Sequence, residues 1–262
     1  MSFENYERLT FERKPNGVLL VIIDRPEKYN AADGRMLSEF TSVWADIQKD
    51  EETRVAVITG RGRAFSAGGD LNEEREKLND FHSVVKVMKE ARGLVSNMIE
   101  CEKPIISAIN GPAAGAGLAI ALLADISIIG EDVKFTDGHV RIGLAAGDHA
   151  AIIWPLLCGM AKAKYLLLTA DQVDGREAER IGLVSKAVPR ETVLDDALSV
   201  ADGLAQGPQY ALQWTKHALN NWLRLAMPTF ESSLGLEMLT FFSDDAQEGM
   251  SAFLERRDPR FA

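Results

Sequence analysis

One stretch of the chain combines free backbone amides with titratable side chains. Residues 111–117 (GPAAGAG) follow an apolar strand and open a short apolar helix. Their N–H groups would lie at the positive end of a helix dipole, which favours an anionic oxygen. His139, Asp148 and His149 follow in a polar segment. With an ordinary pKa of about 6.5, a histidine can give or take a proton at neutral pH.

A second loop, residues 60–70 (GRGRAFSAGGD), has the same character. It follows an apolar segment predicted to be a buried strand, and its small residues allow a ligand to approach the main chain closely. Two such loops could each aim one N–H at a single oxygen and form an oxyanion hole. Alternatively, the glycines only permit a tight connection. The loops lack the GxGxxG pattern and an acidic residue at dinucleotide spacing, so no nicotinamide or flavin site is expected.

The elements around these loops predict an α/β core. Residues 6–13 and 18–24 read as a hairpin around the turn Pro15-Asn16-Gly17. Strands and helices then alternate, which favours a sheet with right-handed crossovers. After residue 190 every segment is helical in pattern, with breaks expected at Gly207-Pro208 and Met227-Pro228. Between these parts, helices are predicted at residues 36–47, 81–99 and 174–181. Strands are predicted at residues 55–59, 104–109 and 184–188.

The composition excludes some classes of function. The net charge is −10, and no Lys/Arg stripe is available to neutralise phosphates, so nucleic-acid binding is not expected. Local cations such as Arg25, Lys28, Arg61 and Arg63 could still serve an anionic small ligand. The N-terminal residues contain no apolar signal region, and the longest apolar run, 118–124, is too short to span a bilayer. A cytoplasmic protein without membrane association is expected.

Four segments, in this order along the chain, resemble the crotonase (enoyl-CoA hydratase/isomerase) superfamily: VITGRGRAFSAGGDL, KPIISAINGPAAGAGLAIALLADISI, FTDGHVRIGL and AFLERRDPRF. The resemblance covers essentially the whole chain. It implies an α/β fold in which residues 1–190 form a crotonase-type spiral of ββα units. Residues 191–262 would form a C-terminal all-helical oligomerisation region that makes a homotrimer or a dimer of trimers.

The resemblance also implies an acyl-CoA thioester, with coenzyme A as part of the substrate and neither a prosthetic group nor a metal. The two oxyanion-hole donors would be the backbone N–H groups of Gly69 and Ala116. Ala67 would lie against the CoA adenine, while Lys28 and Arg256 would contribute to CoA binding. The basic pair at Arg256 approaches the CoA phosphates in this superfamily, sometimes across a subunit interface. The competing interpretation is a solvated helix end.

The chain departs from the superfamily at both catalytic carboxylates. Hydratases of this group carry two glutamates that share the addition of water to a double bond. Ala119 and His139 occupy the two matching positions, and alanine cannot transfer a proton. Asp137 would share a face with His139 if the preceding strand continued, but residues 136–138 read as a turn.

His139 is therefore the predicted general acid or base, with Asp148 orienting its imidazole. Asp148 could instead cap the helix that begins near His149, and His149 is interpreted as a cap neighbour or a pocket-rim residue. The His139 and Asp148 arrangement is similar to the branch containing oxocamphor hydrolase, which cleaves a C–C bond of cyclic β-diketones without CoA.

Three functions follow. The first is an enoyl-CoA hydratase/isomerase-family enzyme that stabilises an enolate and uses His139 and Asp148. The second is a C–C bond hydrolase of cyclic β-diketones with the same oxyanion hole. The third is a non-catalytic CoA-binding subunit.

Overall fold

A six-stranded sheet forms the centre of the computed structural model, which describes residues 3–262. The described residues form eight strands in all: β1 (Leu9–Arg13), β2 (Val18–Ile23), β3 (Val55–Gly60), β4 (Ile105–Ile109), β5 (Ile126–Gly130), β6 (Lys134–Phe135), β7 (Val173–Asp174) and β8 (Lys186–Val188). The sheet order is β1-β2-β3-β4-β5-β8, while β6 and β7 form a separate pair. β1 and β2 are antiparallel, which confirms the predicted hairpin, and the other pairs in the large sheet are parallel.

Helices connect these strands and then form the rest of the chain. They are α1 (Gly34–Lys49), α2 (Leu71–Glu76), α3 (Phe81–Glu100), α4 (Gly115–Leu123), α5 (Ala150–Cys158), α6 (Met160–Thr169), α7 (Gly175–Arg180), α8 (Val193–Ala205), α9 (Gln209–Leu219), α10 (Asn221–Thr240) and α11 (Asp244–Glu255). Short 3₁₀ turns cover Pro26–Lys28, His139–Ile142 and Arg190–Thr192. Strands followed by helices confirm the predicted α/β class.

The sheet buries both faces, because parallel strands joined by crossover helices have no solvent side. Side chains alternate across it, so Leu19 and Val21 belong to the core that includes side chains of α1 and α3. Val18 and Leu20 point the other way, into a second core that includes the inward face of α8. The first helix after residue 190 therefore packs directly on the sheet. The division of the chain at residue 190 stays a prediction.

One expected helix break is wrong. The chain was expected to break at Met227-Pro228, but α10 runs through Pro228 without interruption. A proline inside a helix removes one backbone hydrogen bond, and here the buried Phe230 and Leu234 hold the following turns against the core. The break falls at Asn220 instead, where the side-chain amide donates to the carbonyl of Ile99 at 2.9 Å.

Two loops leave the carboxyl edge of the sheet side by side, because β3 and β4 are neighbouring parallel strands. They are residues 61–70, after β3, and residues 110–114, after β4. This edge is where open α/β sheets bind ligands. Among the described residues, no helix is both long and apolar enough to cross a membrane.

Candidate active site

The two edge loops are locked together by backbone contacts. The Ala114 N–H donates to the carbonyl of Ser66 at 2.9 Å, and Ser66 pairs with Ala113 as an isolated parallel bridge. A side chain at Gly117 would bring its Cβ within 2.4 Å of the Ser66 Cβ, so only glycine permits this approach. The small residues of both loops therefore bring two backbone segments into contact.

This contact places the predicted oxyanion-hole donors close to each other. Gly68 has φ +85° and Gly115 has φ +46°, and both are conformations that favour glycine. A Cβ on Gly115 would lie only 3.7 Å from the Gly69 nitrogen. Ala116 is the second residue of α4, and the first turn of a helix leaves its N–H groups without intrahelical acceptors. Gly69 and Ala116 thus present main-chain donors side by side.

His139 opens the 3₁₀ turn that follows β6, and Asp137 fixes its ring. The Asp137 Oδ1 accepts a hydrogen bond from the His139 backbone N–H at 3.2 Å and lies 2.8 Å from the ring Nδ1. Since an ionised carboxylate only accepts, Nδ1 carries a proton in this contact. The residues around Asp137 read as a turn in the sequence, and the structure shows that this turn folds the carboxylate back onto the histidine.

The other ring nitrogen of His139 faces two more carboxylates. Its Nε2 lies 3.7 Å from Asp148 Oδ1 and 3.8 Å from Glu237 Oε1. Both separations exceed a direct hydrogen bond and suit a bridging water or a polar atom of a ligand. Asp148 was predicted to orient the His139 imidazole, but Asp137 makes that hydrogen bond and Asp148 lies at the opposite ring nitrogen, beyond hydrogen-bond distance. Glu237 was not predicted.

Glu237 comes from α10, which approaches the segment before α5 closely. A side chain at Gly147 would bring its Cβ within 2.1 Å of the Ser233 carbonyl oxygen, and the Ser233 hydroxyl donates to the Gly147 carbonyl at 2.9 Å. The sequence did carry a signal for this residue. Glu237 is a lone carboxylate on a helix face otherwise formed by Leu234, Met238 and other buried apolar side chains.

The expectation that His149 is a cap neighbour or a rim residue is wrong in part. His149 stands at the N-cap position of α5, but its side chain makes no capping hydrogen bond and is fully buried. Its Nδ1 lies 2.6 Å from Asp148 Oδ1. Asp148 therefore bonds to a second histidine rather than capping the helix. The remaining histidines, His82 and His217, are exposed, as expected for surface residues.

The charges of this cluster shift its pKa values in opposite directions. Burial lowers the pKa of His139, but the Asp137, Asp148 and Glu237 carboxylates outweigh it and hold the pKa well above 6.5. Burial raises the pKa of Asp148, yet His149 and His139 bring it well below its usual range. Burial and the charge of Asp148 raise the pKa of Glu237 well above its ordinary value. These shifts favour a protonated His139 and an ionised Asp148, and they favour the uncharged form of Glu237 over a wider pH range than usual.

One cavity of about 340 Å³ joins the amides and the charged cluster. Its walls include Gly69, Ala116, His139 and Asp148, together with Ala67. Further lining residues are Ala119 and Glu237, and the apolar side chains Leu37, Leu71, Val87, Leu94, Leu144 and Phe241. The predicted oxyanion donors and the charged cluster therefore line one cavity.

Two predicted CoA-binding residues lie elsewhere in the single chain. Lys28 is exposed at the end of the 3₁₀ turn Pro26–Lys28, and Arg256 is exposed just after α11. Neither lines the cavity. Phe253, one turn before Arg256 on α11, does reach the cavity wall.

The cluster also includes the side-chain types that bind metals. His139, Asp148 and Glu237 each offer one ligand atom, and these atoms lie within 4.8 Å of one another. The sequence predicted no metal, and a metal at this point would be held by these three residues.

Comparisons with known proteins show which family and which structures this chain is similar to. The sequence model of the family described as enoyl-CoA hydratase/isomerase matches residues 13–262. A probable mitochondrial enoyl-CoA hydratase from Dictyostelium discoideum is 33% identical, covering 98% of this chain and 91% of the relative. An enoyl-CoA hydratase/isomerase from Mycobacterium paratuberculosis superposes with a TM-score of 0.89 at 29% identity, over 93% of this chain and 97% of that structure.

A further similar structure is a β-diketone hydrolase from the cyanobacterium Anabaena, bound to (S)-3-oxocyclohexyl acetic acid. It superposes with a TM-score of 0.84 at 30% identity, over 91% of this chain and 96% of that structure. The fold therefore occurs in proteins whose names describe two different reactions.

Proposed function

Because this chain belongs to the enoyl-CoA hydratase/isomerase family, we propose that it acts on an acyl-CoA thioester through an enolate held in the cavity. One observation supports the proposal: Gly69 and Ala116, the predicted amide donors, line the same cavity as His139. The two amides would bind the thioester carbonyl oxygen. They gain most where negative charge develops on that oxygen, which lowers the barrier to the enolate.

His139 and Asp148 would supply the proton transfers in place of the two glutamates. In hydration, a water that contacts both His139 Nε2 and the Asp148 carboxylate adds its oxygen to the β-carbon of the enoyl group. The double-bond electrons move onto the thioester oxygen as an enolate. His139, protonated because its pKa is raised, gives its proton to the α-carbon, and the water proton passes to Asp148. Return of that proton from Asp148 to His139 resets the site.

A C–C bond hydrolase of cyclic β-diketones is the second candidate, favoured by two observations. Ala119 and His139 stand where the superfamily's hydratases carry glutamates. In addition, a β-diketone hydrolase is among the similar structures. In this reaction water adds to one carbonyl and the adjacent C–C bond breaks. Its electrons move onto the second carbonyl oxygen, which the Gly69 and Ala116 amides would hold.

Oligomerisation is part of the proposal. Large apolar side chains on α9 and α10 lie at the surface of the single chain; Trp214 and Trp222 are each 65% exposed. Exposed apolar area on this scale marks an interaction surface. A homotrimer or a dimer of trimers would cover it, and sedimentation as a monomer would contradict this. The exposed Lys28 and Arg256 would then bind CoA at or near a subunit interface. A cytoplasmic location stays a prediction.

Substitution of His139 tests the proposed chemistry. His139→Ala should lower kcat by about 10²–10⁴-fold on the accepted substrate, because a general acid contributes on that scale. CoA binding, measured by calorimetry, should be unchanged. His82→Ala, on the exposed face of α3, is the matched control and should behave as the parent protein. Activity retained in His139→Ala would refute the proposed role.

The substrate panel separates the candidate functions. Turnover of a short enoyl-CoA supports the first, and turnover of a cyclic β-diketone without CoA supports the second. CoA binding with no turnover of either class leaves the non-catalytic CoA-binding subunit. Dialysis against a chelator should leave activity intact, whereas a loss restored by added metal would assign the His139, Asp148 and Glu237 cluster to an ion.

A further inference from the structure

His149 has contacts that helix capping does not explain. It is fully buried at the N-cap position of α5, with its backbone at φ −158° and ψ −31°. Its ring makes no hydrogen bond to the helix. Instead, Nδ1 lies 2.6 Å from Asp148 Oδ1, which is the shorter of the two histidine contacts of that oxygen.

The other side of the ring faces Asp137. His149 Nε2 lies 3.8 Å from Asp137 Oδ2, and both atoms are buried without a hydrogen-bond partner among the described residues. Asp137 in turn bonds His139 through its other oxygen at 2.8 Å. His139 Nε2 faces Asp148 Oδ1 at 3.7 Å. Two aspartates and two histidines therefore alternate in a closed cycle of four contacts.

We propose that His149 is a positioning residue that holds Asp148 at a fixed distance from His139. The hydrogen bond from His149 Nδ1 keeps Asp148 Oδ1 directed toward His149, and His149 Nε2 completes the cycle of contacts at Asp137. Asp148 Oδ1 and His139 Nε2 then stay unbonded to each other, so that a water or a substrate atom beside them can contact both. The catalytic consequence rests on the proposed function, whereas the positioning of the carboxylate does not.

The physical reason is a competition for one carboxylate. Asp148 is buried beside two imidazoles, and an ionised carboxylate forms its strongest hydrogen bonds with charged donors at about 2.7–2.9 Å. Without the His149 donor, the nearest such partner is His139, only 3.7 Å away. Rotation of Asp148 onto His139 would form a direct ion pair between them. The bond to His149 prevents this collapse.

The charges around His149 set the expected pH effects. The groups that face it are Asp148 and Asp137, with His139 beyond them and Glu237 on α10 across the cavity. Against the effect of burial, the interactions with His149 and His139 lower the pKa of Asp148. Removing His149 should therefore raise the pKa of Asp148 and move the acid limb of the pH–rate profile upward.

Three substitutions of His149 separate its Nδ1 contact to Asp148 from its Nε2 contact to Asp137. The side-chain nitrogen of Asn lies near the position of Nδ1, so His149→Asn keeps the donor to Asp148. Asn also suits an N-cap position, so this variant should retain thermal stability. The longer His149→Gln reaches toward Asp137 and loses the donor to Asp148. His149→Leu removes both contacts, and His217→Asn, at an exposed position, is the control.

The expected order of activity is parent, Asn, then Gln and Leu. His149→Gln and His149→Leu should lose about 10²-fold in kcat with little change in KM, because misplacement by about 1 Å costs that much. His149→Asn should lose much less kcat. The acid limb of its pH–rate profile should still move upward, because the imidazole that lowers the pKa of Asp148 is gone. Equal kcat values in the Asn and Gln variants, at comparable thermal stability, would overturn the proposal.

A second measurement does not depend on the substrate. The chain has four histidines, so each imidazole can be assigned in an NMR titration by single substitution. If Asp148 swings onto His139, the pKa of His139 should rise further in the Gln and Leu variants than in the Asn variant. A pKa of His139 that responds equally to all three would contradict the positioning role. If no substrate is turned over, this titration still decides the proposal while the proposed function fails.

Discussion

The two ends of the cavity are built from different materials. At one end, Gly69 and Ala116 offer main-chain amides, and their place is set by glycines at which a side chain would collide with backbone or with Ser66. At the other end, His139, Asp148 and Glu237 offer side chains that come from separate parts of the chain. The amide end depends on steric fit, and the charged end depends on the balance of burial and charge.

This difference predicts how each end responds to change. Backbone amides do not titrate, so the amide end should work equally at every pH at which the fold is intact. The charged end changes with every proton gained or lost, because its pKa values are set by neighbouring groups in the same cluster. Steric substitutions should therefore damage the first end, whereas isosteric changes of charge should damage the second.

Among the tests of this difference between the two ends, the largest effect is expected from a single methyl group at the amide end. Gly68→Ala places a Cβ 2.9 Å from the Ala114 carbonyl oxygen, at a φ of +85° that alanine rarely adopts. The resulting shift should displace the Gly69 N–H, and loss of one oxyanion donor costs about 10²–10³ in kcat. Steady-state kinetics on the accepted substrate would measure it, with a pH profile of unchanged shape.

Gly203→Ala is the matched control for this substitution. Gly203 lies within α8, far from the cavity lining, and a Cβ there meets no atom within 4 Å. Alanine is favoured over glycine inside a helix, so this variant should keep full activity and gain slightly in stability. Full activity in Gly68→Ala would mean that the amide end is not held by steric fit.

A smaller effect is expected from an isosteric change at the charged end. Burial and the charge of Asp148 raise the pKa of Glu237 and favour its uncharged form, so Glu237→Gln should preserve shape and thermal stability. The amide cannot release a proton, and if Glu237 shares in proton transfer kcat should fall by about 10². Glu231→Gln, on the same helix but outside the cavity, controls for helix effects. A kcat equal to the parent value would make Glu237 a purely structural acid.

The amide end could be predicted from the sequence because its signals are local. Each glycine-rich loop follows a buried strand, and the two strands are neighbours in a parallel sheet, so the loops must meet. The strands of the large sheet and most helices were predicted for the same reason, whereas the short pair β6 and β7 was not. The expected break at Pro228 was wrong because packing of Phe230 and Leu234 outweighs the single hydrogen bond that proline removes.

The charged end could be predicted only in part. His139 was found from its place in a motif, and Asp148 lies nearby in the chain. Glu237 could not be placed because its approach depends on how α10 packs against Gly147, a tertiary contact with no local pattern. The contacts of His149 with Asp148 and Asp137 were not predicted. The sequence around residue 149 does not show whether its side chain points to the surface or into the cluster.

The smallest expected effect is a pH dependence of folding stability that belongs to the charged end alone. His139 has a folded-state pKa well above its ordinary value of about 6.5. Its contribution to the free energy of unfolding is therefore fully present below about pH 6.5 and is lost as the pH rises through the folded-state pKa. Each unit of separation corresponds to about 1.4 kcal/mol. The lowered pKa values of Asp137 and Asp148 act in the opposite window, where stability is lost as the pH falls below about 4.

Urea unfolding at a series of pH values between 6 and 9 would measure the His139 contribution. The parent protein should lose stability across this range, and His139→Gln should flatten the curve because the glutamine amide does not titrate. His217→Gln, with the histidine exposed and 3.7 Å from Glu102, should leave the slope nearly unchanged, since exposed ion pairs contribute little. Parallel curves for the parent and His139→Gln would show that the carboxylates around His139 do not hold its proton. In that case the charged end would resemble the amide end, with a fixed geometry that does not respond to pH.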